Sequence, residues 1–83
     1  MNVTLKLFAT LTDYLPAGAR ANQLDMEVAD TTSVSTLIEQ LNLPPKLVHL
    51  VLVNGAFVPP EARSGRQLQE GDQLAIWPPI AGG

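Results

Sequence analysis

Gly82 and Gly83, preceded by Ile80 and Ala81, form a run in which side chains shrink to nothing as the chain approaches its carboxylate. Glycine carries no Cβ, so two in succession let the backbone enter a channel too narrow for any side chain. The reachable group is then the carboxylate of Gly83. It is ionised at neutral pH and is a poor electrophile, so acyl chemistry there requires prior activation, for instance as an acyl-adenylate, which implies an ATP-using partner. Two glycines alone also fit a frayed terminus, and the elements that precede them have to decide between the two readings.

Those elements begin with Leu74-Ala75-Ile76-Trp77, which alternates and ends in an aromatic residue as a half-buried strand does. Pro78-Pro79 ends the strand, because proline has no N–H for a ladder. Toward the N-terminus, Val3, Leu5 and Leu7 alternate with Thr4, Lys6 and Phe8, which predicts a strand over 3–8 with the odd positions in the core. Leu11, Tyr14 and Leu15 predict a short helical turn ending at Pro16. Leu24, Met26 and Val28 alternate with Asp25 and Glu27, a second strand able to return beside the first.

Asp30-Thr31-Thr32-Ser33 offers capping residues, and Val34, Leu37, Ile38 and Leu41 then share one helical face, ended by Asn42 and Pro44. The apolar run from Leu47 to Val53 predicts a central strand buried on both faces, and Asn54-Gly55 a two-residue hairpin returning through Ala56 to Val58. Pro59 to Gly71 reads as a polar connection, with Glu70-Gly71-Asp72 turning into the last strand, Gln73 to Trp77. The order predicts an α+β domain, one helix on one face of a mixed sheet of four to five strands. The expected division is a folded domain over 1–79 and a flexible Gly-Gly tail over 80–83. When first and last strands neighbour each other at the sheet centre, the arrangement is a β-grasp.

Composition narrows the functions. With 83 residues, 46% of them hydrophobic, the chain builds one small core. It has no cysteine, which excludes disulfides, cysteine-based metal sites and a thiol nucleophile. A net charge of −3 with five scattered Lys and Arg leaves no basic patch for nucleic acid. No stretch approaches the roughly 20 apolar residues of a membrane span, and the N-terminus lacks a basic start and apolar run, so the expected location is cytoplasmic and no membrane partner is expected.

Four features together, Leu5-Lys6-Leu7-Phe8-Ala9, Val53-Asn54-Gly55, Gly71-Asp72 and the terminal Gly82-Gly83, resemble the MoaD/ThiS ubiquitin-like sulfur-carrier family along nearly the whole chain. Trp77-Pro78-Pro79-Ile80-Ala81-Gly82-Gly83 is most similar to the small subunit of molybdopterin synthase. The resemblance implies a ubiquitin-like β-grasp. It also implies that an E1-like enzyme of the MoeB/ThiF kind adenylates Gly83 with ATP, and that sulfur from a persulfide donor replaces the AMP. The resulting thiocarboxylate gives its sulfur up in an acceptor enzyme such as the molybdopterin synthase large subunit. The chain is then a cosubstrate carrier with no cofactor of its own. Ile80, Ala81, Gly82 and Gly83 would thread into the partner.

Alternation places Phe8 and Trp77 on the sheet face away from the helix, on strands that lie side by side in a β-grasp, with Phe57 extending the patch, so Phe8, Phe57, Trp77, Pro78 and Pro79 are the expected partner contacts. Aromatics there also serve simply to cover a sheet. His49 is the only histidine and reads as a strand-face residue without companions for metal binding; Lys6 and Lys46 read as solvated charges. Other readings stay open: a carrier for thiazole synthesis or another acceptor, a protein modifier, or a β-grasp interaction module that does not use its tail.

Overall fold

In the computed structural model, which describes residues 1–79, the first and last strands lie side by side at the middle of a five-stranded sheet of order β2-β1-β5-β3-β4. β1 (Asn2–Leu7) runs parallel to β5 (Gln73–Trp77), with Leu5 beside Leu74 and Leu7 beside Ile76. β2 (Gln23–Glu27) returns antiparallel along the other side of β1, pairing Val3 with Met26 and Leu5 with Leu24. β3 (Leu50–Val53) is antiparallel to β5, and β4 (Ala56–Phe57) forms the short outer edge. This is the α+β β-grasp expected from the element order. The tail expected over 80–83 lies outside the described residues.

The alternation of β1 does what a period of two requires: Val3, Leu5 and Leu7 are buried under the helix, and the even positions face the other way. Phe8 stays extended, but Ala9 takes a left-handed φ of 52° and turns the chain out of the sheet into a 3-10 helix, Ala9–Tyr14, which buries Leu11. The helix stops at Leu15, whose extended backbone precedes Pro16.

α1 (Val34–Gln40) starts where the capping residues put it. Ser33 Oγ accepts from the Thr36 N–H at 3.1 Å, which satisfies one of the donors a helix N-terminus leaves open. It ends in a Schellman arrangement around Asn42, whose φ is 58°: the Asn42 N–H donates to the Glu39 carbonyl and the Leu43 N–H to that of Ile38. Val34 and Leu37 are fully buried and Leu41 nearly so, whereas Ile38, expected in the core, is only half-buried at its margin.

Two expectations need correction. The strand predicted over 47–53 is only Leu50–Val53, because Pro44-Pro45 directs the chain into a 3-10 helix over Pro45–Leu47 and Val48 is still outside the ladder. It also lies beside the edge strand and not at the centre. Only Val51 and Val53 are buried; Leu50 and Leu52 are half-buried on the opposite face. The segment over 59–71 is more than a polar connection, since Leu68 enters the core and Arg63 is buried.

The two turns read from the sequence form one hydrogen-bonded unit. Asn54 (φ 51°) and Gly55 (φ 84°) make the type I′ hairpin between β3 and β4, the geometry for which Asn-Gly is suited. Asn54 Nδ2 donates to Asp72 Oδ1 at 2.8 Å, and Asn54 Oδ1 accepts from the Gln73 N–H at 2.9 Å. The other oxygen of Asp72 accepts from the Gln69 N–H at 2.8 Å. Asp72 is buried, yet this network gives both its oxygens a partner.

Candidate functional site: the open sheet face at the root of the tail

β5 brings Trp77 to one end of the sheet, and β1, running parallel, brings Phe8 to the same end and the same face. Their rings stack, with centroids 4.0 Å apart and planes 7° from parallel. The backbone fixes both partners. The Phe8 N–H donates to the Ile76 carbonyl at 3.2 Å, and the His49 N–H donates to the Trp77 carbonyl at 3.1 Å. The two carbonyls that close β5, those of Ile76 and Trp77, are thus each held by a residue flanking a neighbouring strand, just before Pro78-Pro79. Pro78 is half-buried and Pro79 exposed.

Around the stack the register assembles an apolar face. Leu50 is opposite Trp77, Leu52 opposite both Ala75 and Phe57. Direct partners in a sheet point to the same side, so Phe8, Trp77, Leu50, Leu52, Ala75 and Phe57 share the side that α1 does not cover. Phe57 is 56% exposed and is the one large hydrophobic residue so open among the described residues. It sits across β3 from the stack and reaches the patch only through Leu50 and Leu52. Toward β2 the face turns polar: Lys6 is level with Ala75, and Gln23, Asp25 and Glu27 form the margin, with the Thr4 hydroxyl donating to Asp25 at 2.8 Å.

Leu50 and Leu52 were not legible as site residues, because a run of valines and leucines reads as a strand buried on both faces. The hairpin signal at Asn54-Gly55, followed by so short a return strand, was the hint that β3 sits next to an edge. His49 is exposed, and its contribution is its backbone. Gly83 and the residues from Ile80 onward fall outside the described region.

Among the described residues no group of three or more His, Asp or Glu side chains is arranged to hold a metal ion, and no helix is long and apolar enough to cross a membrane. The broadest concavity, lined by Met1, Asn2, Glu27, Asp30 and residues 67–70, is polar and lies at the opposite end of β1 and β5 from the stack. What this end of the molecule can do is offer an apolar platform beside Pro78-Pro79, the root of the C-terminal residues.

Comparison with known proteins bears on that terminus. A model of the ThiS family matches residues 5–83. The fold is similar to that of SAMP1 from Haloferax volcanii, at 25% identity over 100% of both chains with a TM-score of 0.68. It is also similar to a putative molybdopterin converting factor subunit 1 from Pyrococcus furiosus, at 22% identity over 95% of this chain and 98% of that one, TM-score 0.69. The thiamine biosynthesis protein ThiS from Geobacter metallireducens gives 20% identity over 100% of both chains and a TM-score of 0.68. Among curated protein sequences nothing matches.

Proposed function

The chain belongs to the ThiS family, of MoaD/ThiS-like ubiquitin-like sulfur carriers and modifiers, and we propose that within it this protein is a sulfur carrier serving molybdopterin or tungstopterin synthesis. In this reading Gly83 is the reacting residue. An E1-like enzyme joins its carboxylate to AMP with release of pyrophosphate, the terminal sulfur of a persulfide donor displaces the AMP to give an acyl disulfide, a thiol reduces that disulfide to release the thiocarboxylate, and the thiocarboxylate delivers sulfur inside a synthase large subunit. ATP is consumed by the activating partner.

The observation that supports the reading is the stacked Phe8–Trp77 pair on an uncovered apolar face, directly before Pro78-Pro79. Ordering a backbone costs about 1 to 2 kcal/mol per residue, so threading residues 80–83 costs about 4 to 8 kcal/mol. A four-residue tail ending in two glycines has little side-chain surface to offset that. A docking platform on the folded body supplies the remainder, and the rigid proline root reduces the loss. Phe8, Trp77, Pro78 and Pro79 form the centre of that platform, with Leu50, Leu52 and Phe57 beside them.

The likeness to SAMP1 favours a second reading, in which the same activated carboxylate acylates a lysine of a target protein. The two separate when the thiocarboxylated chain is offered, in parallel, to a pterin synthase large subunit, to a thiazole synthase and to a lysate supplied with ATP and the activating enzyme. Sulfur loss from Gly83 with the pterin enzyme alone is expected. Consumption by the thiazole synthase alone, or isopeptide adducts without sulfur transfer, would contradict the pterin assignment.

A further inference from the structure

The ladder between β3 and β4 stops one bond short, and a side chain completes it. Leu52 pairs with Phe57, and the Val58 N–H donates to the Val51 carbonyl at 2.8 Å. Continued in that register, the donor facing the His49 carbonyl would be the N–H of residue 60. Residue 60 is proline and has none. Arg63 supplies the missing donor: its Nη2 donates to the His49 carbonyl at 3.2 Å and its Nε to the Val58 carbonyl at 3.1 Å. One planar fork thus closes the end of the hairpin that the backbone leaves open.

The backbone aims the side chain there. Arg63 follows a 3-10 helix, Pro60–Ala62, and its own carbonyl accepts from the Ser35 N–H in the first turn of α1 at 3.1 Å. The residue is 8% exposed. Burial pushes its pKa below the ordinary value and Glu61 pulls it back up; arginine stays charged in proteins, so both carbonyl bonds are charge-assisted. His49 in turn donates its N–H to the Trp77 carbonyl at 3.1 Å, although the direct partner of Trp77 is Leu50. A single line of hydrogen bonds runs from α1 through Arg63 and His49 to the last residue of β5, directly before Pro78-Pro79.

We propose that Arg63 is a positioning residue for the adenylation of Gly83: it holds His49 in place and, through the His49 N–H, fixes the direction in which the chain leaves β5. The proposal rests on the sulfur-carrier reading, in which the Gly83 carboxylate has to arrive at one place in the activating enzyme. Pro78-Pro79 passes the direction on, because each proline ring locks its own φ. A misplacement of about 1 Å at the reacting atom can cost about 10²-fold in rate. Arg63 is anchored to α1, on the covered side of the sheet, and is no part of the Phe8–Trp77 platform.

The test takes the full chain with three substitutions. Arg63→Met removes both donors, Arg63→Lys keeps the charge as a single point donor that cannot bridge two carbonyls, and Ile38→Ala destabilises the fold from the core margin as a control. In native-state ¹⁵N relaxation, the order parameters of the His49 and Trp77 amides are expected to fall from the rigid range near 0.85 to about 0.6 in both Arg63 variants, with Leu5 and Leu74 unchanged. With the E1-like enzyme and ATP, kcat/KM for adenylation is expected to drop about tenfold in both Arg63 variants and to stay within about twofold of wild type in Ile38→Ala. Where Arg63→Met does not fold, Arg63→Lys decides alone. Unchanged order parameters at His49 and Trp77, a loss in Ile38→Ala equal to that of the Arg63 variants, or full recovery of kcat/KM in Arg63→Lys overturns the proposal. A wild-type chain that is not adenylated counts against the sulfur-carrier reading, and the order parameters then decide whether Arg63 holds the root of the tail.

Discussion

Trp77 and Phe8 carry most of the recognition argument, and their geometry makes it testable one side chain at a time. Both rings are half-buried against each other and not in the core, so truncating either should leave stability close to wild type. Trp77→Ala and Phe8→Ala should each weaken binding to the activating or acceptor enzyme by at least about 1 kcal/mol, as aromatic anchors at interfaces do. Calorimetric titration against either enzyme decides it, with unchanged affinity in both variants moving the docking surface elsewhere. Ala9, the next residue, sits at a φ of 52°, where a Cβ is strained. Ala9→Gly should therefore stabilise the fold by about 0.5 to 1 kcal/mol, and a denaturation midpoint below wild type would contradict the strain. Alternation alone was enough to put Phe8 and Trp77 on one face. The pivot at Ala9 was not legible, because alanine gives no hint of positive φ.

The two turns at Asn54-Gly55 and Gly71-Asp72 show where reading by element succeeds and where it stops. Each was recognisable as a turn from its own residues. Their joining through Asn54 and Asp72 was not, since a hydrogen bond between side chains 18 positions apart leaves no periodic trace. That bond ties the β3–β4 hairpin to the start of β5, the strand that leads to the tail. Asp72→Ala leaves the Asn54 amide and the Gln69 N–H without their partner, and the expected loss is about 1 to 3 kcal/mol by urea denaturation; a loss within error of zero would mean water replaces the carboxylate fully. The same contrast explains β3. Its apolar run was visible, but its start at Leu50 is set by Pro44-Pro45 and its flank position by the shortness of β4, both of which act from outside the run.

Taken as a whole, the molecule separates a core that holds the sheet on α1 from an uncovered face that leads to the terminus. The core was largely readable: Val3, Leu5, Leu7, Leu37, Leu41, Leu74 and Ile76 are buried as their spacing predicts. Leu11, Val28, Val34, Leu43, Val51, Val53, Val58 and Leu68 complete it, and Ile38 belongs to its rim. Leu5→Ala should cost about 2 to 5 kcal/mol, a large share of a small domain's stability. Ile38→Ala, at a half-buried position, should cost less than Leu5→Ala, and the reverse order in chemical denaturation would contradict the assigned core. The neighbouring of β1 and β5 follows from the β-grasp arrangement and not from any local signal, which is why strand order needed the structure. The central claim concerns the terminus itself, and intact-mass measurement reaches it most directly. The chain, its Gly83→Ala variant and a chain lacking Gly83 are each incubated with an E1-like enzyme, ATP, a persulfide donor and a thiol reductant. The account predicts that the wild-type chain alone gains the mass difference between sulfur and oxygen, located on its C-terminal peptide. An unchanged wild-type mass, or the same gain in the variant without Gly83, would contradict it.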